Sequence, residues 1–425
     1  MIKNRIRLFR GALIATICAM TTLGGFTTTP AFSQEVHGED GEWTWENNYR
    51  IDIKSSTTVF FEKISGEVEI VATDGRDIEI KQSIEVRSHS RRDALERGSE
   101  FELETQFSDG YLTISGRRRT SDAAYRIEIP SGLSISFESE GGALSLSDLD
   151  AYVNIEMDGG DMEIDNIGGP LDIRSDGGEI EIDGVDSDVT ISNDGGEMSV
   201  VDVNGKVVVT SGGGQIEIDG VHENVEVVSA GGSVEVSNVN GDVNINTTAG
   251  DIELDDVDGD AFISTGGGDI ELMNVEGKIT ATTSGGDIEG EDLSSELRLE
   301  TLAGDIDLAG ISNSVRAVAE VGEVYIEVTD ADFLSSGSMV VDLGYGEIDL
   351  RLPSDTKATV FASVLQSGDI EIDRNGWSVR VLGRRGSSRE EGDRRAEFEI
   401  GGGGNGEIEL SLKSGQIQIM NDDNN

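Results

Sequence analysis

Cysteine is almost missing from this chain of 425 residues: the one present, Cys18, lies near the N-terminus. Its loss with a cleaved leader would rule out disulfides, thiolate metal sites and a cysteine nucleophile together. Histidine occurs three times, at His37, His89 and His222, too far apart in sequence to suggest a Ser-His-Asp arrangement. Basic residues are few, 32 against 84 acidic ones, for a formal charge of −52. Such a chain repels nucleic-acid phosphates and suits a salty medium. Aromatics make up 5% and prolines number four. With 56 glycines, that composition would indicate disorder if the glycines were scattered.

Long hydrophobic runs are also missing, except near the start. Lys3, Arg5, Arg7 and Arg10 precede an uncharged apolar stretch, Gly11 to Thr22, and Ala31-Phe32-Ser33 offers small residues for cleavage. This is the pattern of a signal peptide over 1–33, with a mature chain from Gln34. Ala15-Thr16-Ile17 lacks the small residue that lipoprotein processing needs before Cys18. The expectation is export to the cell envelope, periplasm or surface, or secretion, with no transmembrane segment in the mature chain.

The glycines are periodic. Gly142, Gly160, Gly178, Gly196, Gly214, Gly232, Gly250, Gly268, Gly286, Gly304 and Gly322 are spaced by 18 residues without insertion. With each such glycine as position 1, position 3 holds residues such as Ile180, Ile216 and Ile270. Position 8 holds Val185, Val203 and Val221, and positions 12 and 14 hold pairs such as Val207 and Val209. Apolar residues two apart mark strands with alternate side chains inward. The sequence therefore predicts an all-β fold, a β-solenoid of 18-residue coils. Each coil has two short strands, about positions 2–6 and 11–16, with Val at position 8 also pointing in. One coil buries nothing alone, whereas stacked coils pair each strand above and below. Five inward residues per coil, at roughly 1.5–3 kcal/mol each, suffice for a core. Serine or threonine at position 16, from Ser211 to Thr301, continues the inward side and suggests hydrogen bonding at a corner.

The flanks show strand patterns without the period. The expected organisation is a β-rich N-terminal cap at 34–141, the solenoid at 142–333, and irregular β coils and a cap at 334–425 with a mobile charged loop at 384–395. Capping is needed because bare terminal coils invite edge pairing.

Gly-Gly-Asp-Met-Glu-Ile (159–164), Gly-Gly-Glu-Ile-Glu-Ile (177–182) and Gly-Gly-Asp-Ile-Glu-Leu (267–272), with Ile129-Pro130-Ser131-Gly132 before the first coils, carry a resemblance. So do Leu350-Arg351-Leu352-Pro353-Ser354 and Ser414-Gly415-Gln416-Ile417-Gln418-Ile419. Over roughly residues 45–420 the chain resembles the bacterial putative-adhesin β-strand-repeat family, an exported domain of unknown function. The resemblance implies adhesion and brings no catalytic or binding residue with it.

Chemistry has few candidates. Longer-coiled β-helices that act on polysaccharides build clefts from protruding loops and pair carboxylates with basic residues. Here no insertion breaks the spacing, and Arg174, Lys206, Lys278, Arg298 and Arg316 do not fall in one column. A polysaccharide-active enzyme is the alternative to a non-catalytic reading, without a catalytic residue to name. Acidic residues recur at position 2 (Asp251, Asp269, Asp287) and position 4 (Glu253, Glu271, Glu289), forming an outward ladder. Calcium could bridge it, making a calcium-responsive secreted protein a further alternative. The third glycine of the calcium-binding nonapeptide is absent, and a solvated acidic face is the simpler reading. Threonines at positions 13 and 15 are too irregular for an ice-binding array. Basic clusters at Arg91-Arg92, Arg117-Arg118-Arg119 and Arg384-Arg385 could dock the caps or meet anionic envelope polymers. The leading expectation is an adhesin-like binding or envelope scaffolding protein. Its partner would be a surface or envelope ligand, either polysaccharide or another protein, without a cofactor.

Overall fold

The computed structural model describes residues 31–39, 41–53, 57–116, 122–330, 332, 337–373, 377–385, 394–402 and 406–421. Residues 1–30 of the expected signal segment, residues 117–119 and residues 386–393 of the expected loop lie outside the described residues. Positions 31–33, 384–385 and 394–395 belong to strands. The chain divides into two units, residues 1–178 and 179–425.

The second unit is a β-solenoid. Strands such as Ile216–Val221, Val234–Val239 and Ile252–Val257 form one row, at positions 3–8 of the repeat. Strands such as Val225–Ser229, Val243–Thr247 and Ala261–Thr265 form a second row, at positions 12–16. Neighbours in each row are parallel, and each residue pairs with the one 18 further on, as Ile216 with Val234 and Val225 with Val243. Positions 3, 5, 8, 12 and 14 are buried in the coils anchored at Gly178 to Gly304, so the two rows bury each other's inner faces.

The first strand reaches position 8 for a reason not visible in simple alternation. Position 7 sits in the left-handed region in coil after coil: Asp202 (φ 54), Asn238 (φ 55), Asp256 (φ 52), Asn274 (φ 51) and Asp292 (φ 55). One residue there breaks the two-residue alternation, as a bulge does, and turns position 8 inward. Asn, Asp and Gly tolerate that conformation best, and Gly184, Gly220 and Gly310 hold the same position in other coils with the same sign of φ. The anchor glycines answer a different demand. A Cβ on Gly304 would overlap the carbonyl oxygen of Gly286 in the coil below. Backbone approaches backbone there, and only glycine fits. The one apolar gap, Gly290 at position 5, is filled by buried Leu293 from position 8 of the same coil.

Position 16 closes the corner from inside. Ser211 and Ser229 donate to the carbonyls of Gly213 and Gly231, while Thr283 and Thr301 donate to those of Gly268 and Gly286 at 3.0 and 3.1 Å.

Past the short strands, four long ones run through the corner: Val315–Val328, Ser338–Leu352, Ala358–Ile372 and Gly406–Asn421. Their order in space is not their order in sequence. Gly406–Asn421 lies between Ser338–Leu352 and Ala358–Ile372, parallel to both. Antiparallel Arg394–Ile400 and then Val379–Arg385 extend the second row beyond Ala358–Val364.

The first unit uses the same device. Thr58–Glu62 and Gly66–Thr73 form a coil that pairs directly with Ile135–Ser139 and Gly142–Leu149, placing Gly66 against Gly142. The later strands Tyr111–Gly116 and Ala123–Pro130 stack on its other side. Antiparallel strands then close both rows: Leu103–Ser108 on one, and Asp77–Arg87, Glu42–Asp52 and Ala31–Glu39 on the other. The helix Arg91–Gly98 starts at Ser90, whose side chain caps the N–H of Asp93. It buries Ala94 and packs Gly98 so tightly on Trp45 that a Cβ there would enter the indole ring. Next to it Tyr49, Gln82 and Tyr125 share a buried hydrogen-bond network. Burial is the main cause that pushes the Tyr49 hydroxyl up to about 12.

Candidate acidic face

The outward side of the first row in the second unit carries a carboxylate column. Glu217, Glu235, Glu253, Glu271, Glu289 and Asp307 are successive register partners at position 4. Parallel pairing sets their spacing near 4.8 Å. At that distance in water, like charges repel by only about 1 kcal/mol, so the stack tolerates the column. Partial burial, then the neighbouring carboxylates, raise Glu253 and Glu289 above the ordinary carboxyl value. Asp307 is raised likewise, by burial first and then by Glu327.

The position 2 aspartates do different work. Asp251 accepts the backbone N–H of Asp269 at 3.0 Å, and Asp287 accepts that of Asp305 at 2.7 Å. Position 2 precedes the strand, so its N–H lies outside the ladder and takes a carboxylate from the coil below. Position 11 repeats this before the second strand: Asn224 accepts from Asp242, and Asp242 from Asp260, each at 2.9 Å. The ladder expected at Asp251, Glu253, Asp269, Glu271, Asp287 and Glu289 is thus a column of backbone caps beside a column of solvated carboxylates. A shallow groove of about 370 Å³ runs between them. Among the described residues, no group of three or more His, Cys, Asp or Glu side chains is placed to hold a metal ion.

His37, His89 and His222 are exposed, and His37 lies 3.0 Å from Glu35. Arg298 and Arg316 are register partners, so part of the sparse basic set does share a column. Their spacing of 18 residues already puts both at position 13, a match hidden when the five basic residues are taken as one set. Among the described residues, no helix is long and apolar enough to cross a membrane.

Parallel strands recurring in register every 18 residues, with paired inward faces, define a toastrack-like β-solenoid. The family model named Toastrack DUF4097 matches residues 57–256, 187–308 and 258–420, and the chain belongs to that family. No curated protein matches. Among solved structures, the chain is similar to a putative adhesin from Bacteroides fragilis, at 14% identity and a TM-score of 0.21, covering 60% of this chain and 95% of that one. It is also similar to a putative cell adhesion protein from Clostridium sporogenes, at 10% identity and a TM-score of 0.16, covering 92% and 100%. At those scores neither likeness carries weight beside the family match.

Proposed function

We propose that the protein is an exported, non-catalytic solenoid that acts as an adhesin-like binding or envelope scaffolding protein. The observation that carries this reading is the unbroken register of its outward columns. Six successive coils present a carboxylate at position 4. A surface that repeats at one spacing suits a repetitive ligand, because many weak contacts add through effective concentration. A polysaccharide or a repetitive protein of the envelope or a neighbouring surface has that form. The groove lined by Asn238, Asp256, Asp258, Asn274 and Asp292 is open and polar, unlike the enclosed, mostly apolar clefts in which substrates are usually turned over.

The test is attachment and envelope integrity in a deletion strain, with protease shaving of intact cells as the companion measurement. Reduced attachment or aggregation, together with cleavage of the protein while a periplasmic control survives, supports adhesion. Protection in intact cells, with exposure after outer-membrane permeabilisation and a weakened envelope in the deletion strain, supports scaffolding. A deletion strain indistinguishable from its parent in every assay removes both.

A further inference from the structure

The second unit ends in two bare strand edges that differ in height and in charge. On the first row the last strand segment is 367–372, which among the described residues pairs only with 414–419. On the second row two more strands follow, and the outermost, Val379–Arg385, pairs among the described residues only with Arg394–Ile400. The end is therefore a step two strands high, about 10 Å. The low edge reads Ser-Gly-Asp-Ile-Glu-Ile, and the high edge reads Val-Arg-Val-Leu-Gly-Arg-Arg with no acid.

Among the described residues, the inner face of the step is only partly covered. Ile417 and Ile419 are fully buried, but Ile370 and Ile372, their partners on the low edge, are only half-buried. On the high edge Val379 and Val381 lie opposite Ile400 and Phe398 and so share their inward face. Ile400 and Phe398 are buried completely, whereas Val381 is 42% exposed. Bare edges with apolar inner side chains are templates for further pairing.

We propose that this end binds the same end of a second copy, forming a closed two-fold dimer. The segment 367–372 runs opposite to Val379–Arg385. The chain reverses between the rows, and the two added strands each reverse again. A two-fold axis along the strands preserves direction and exchanges the rows. It therefore lays each acidic low edge beside the partner's basic high edge, antiparallel at both junctions. Each copy's two-strand step is filled by the hairpin of the other. Val379 and Val381 of one hairpin then cover the same residues of its mate. Arg380 already reaches Glu399 at 3.6 Å yet stays 77% exposed, and Asp369 meets Arg394 at 2.9 Å while 69% exposed. Both charges remain available to a partner. The interface is isologous, so it closes at two chains.

Sedimentation of the purified mature-length chain tests this. The expected wild-type mass is that of two chains. Either Arg380→Glu on the high edge or Glu371→Arg, at an exposed position on the low edge, should alone raise the dissociation constant about tenfold or more, and the double reversal should restore the dimer. Circular dichroism matching the wild type shows that each variant is folded. A folded wild-type monomer at every concentration, a mass above two chains, or a dimer indifferent to both single reversals overturns the proposal. So does a folded double variant that stays monomeric.

Discussion

The carboxylate of Asp269 accepts the backbone N–H of Asp287 at 2.8 Å, one coil further along the chain. That bond ties two coils at a place where the sheet ladder has none to offer. Asp269→Ala should leave the Asp287 N–H to solvent and cost about 1 kcal/mol. Asp269→Asn should cost little, because an amide oxygen does the same work where Asn224 accepts from Asp242. Urea unfolding checks both: the alanine variant should have the lower midpoint with an unchanged slope.

Position 7 makes a sharper demand. Asn274 has φ 51, so Asn274→Ala should cost about 1–2 kcal/mol, while Asn274→Gly should be nearly neutral. Thermal melting distinguishes them. Equal losses in the two variants would mean that the side chain of Asn274, which donates to Asp255 at 3.1 Å, matters more than its backbone angle.

The inward columns were legible because burial acts on residue type at a fixed spacing. Ile216, Val225 and Val227 appear in the sequence as what they are in the core. Position 7 was just as regular, with Asn238, Asp256 and Asn274 in successive coils, but alternation alone assigns no role to a polar residue between two buried ones. Asp251 and Asp269 were legible as an outward column and not as backbone caps. Their partner is an N–H eighteen residues on, and side-chain chemistry alone does not single it out. The pairing of Gly66 with Gly142 left no trace, since 75 residues separate them and the period does not extend to the first coil. Pairing across an insertion is fixed by packing, which spacing does not record.

The carboxylate column sets a pH dependence. Burial and like charges raise Glu253, Glu289 and Asp307 in the folded chain, while the unfolded chain keeps ordinary values near 4.5 for Glu and 3.8 for Asp. A carboxyl that holds its proton more tightly when folded favours folding fully below its unfolded value. That advantage is lost as pH rises through the folded value. These three groups therefore make the protein more stable as pH falls from neutrality through the range just above 4.5. The urea midpoint should be higher at pH 5 than at pH 7 at low ionic strength, with salt reducing the difference. Glu253→Gln combined with Glu289→Gln should narrow the gap. A gap of unchanged size in that variant would place its origin elsewhere.

Gly290 and Leu293 form a matched pair. Added atoms at Gly290 would come within 2.8 Å of Leu293 Cδ1 and Leu308 Cδ2, so Leu293 occupies the space a position 5 side chain fills in other coils. Leu293→Ala should cost about 2–5 kcal/mol through the cavity it leaves. Gly290→Val alone should be overpacked, costing about 1–3 kcal/mol. Together they should cost less than the sum of the two, because the valine enters the space vacated by the leucine. Strict additivity in a double-mutant cycle would show that the two sites do not share that volume.

The C-terminal strand is an inner coil and not a fringe. Gly406–Asn421 pairs with Ser338–Leu352 on one side and Ala358–Ile372 on the other, with Ile408, Leu410, Leu412 and Ile417 fully buried. Truncation after Gly402 would therefore remove the partner that holds Ala358–Ile372, together with the Arg394–Ile400 hairpin paired to it. The expected result of limited proteolysis is rapid digestion of residues 353–402, leaving a protected core that ends near Leu352. A strand added last at an open edge would behave otherwise: its loss would leave 358–400 as resistant as in the full chain. Mass spectrometry of the resistant fragment decides between them. A product ending near Leu352 means the last residues of the chain are built into the stack ahead of those that precede them.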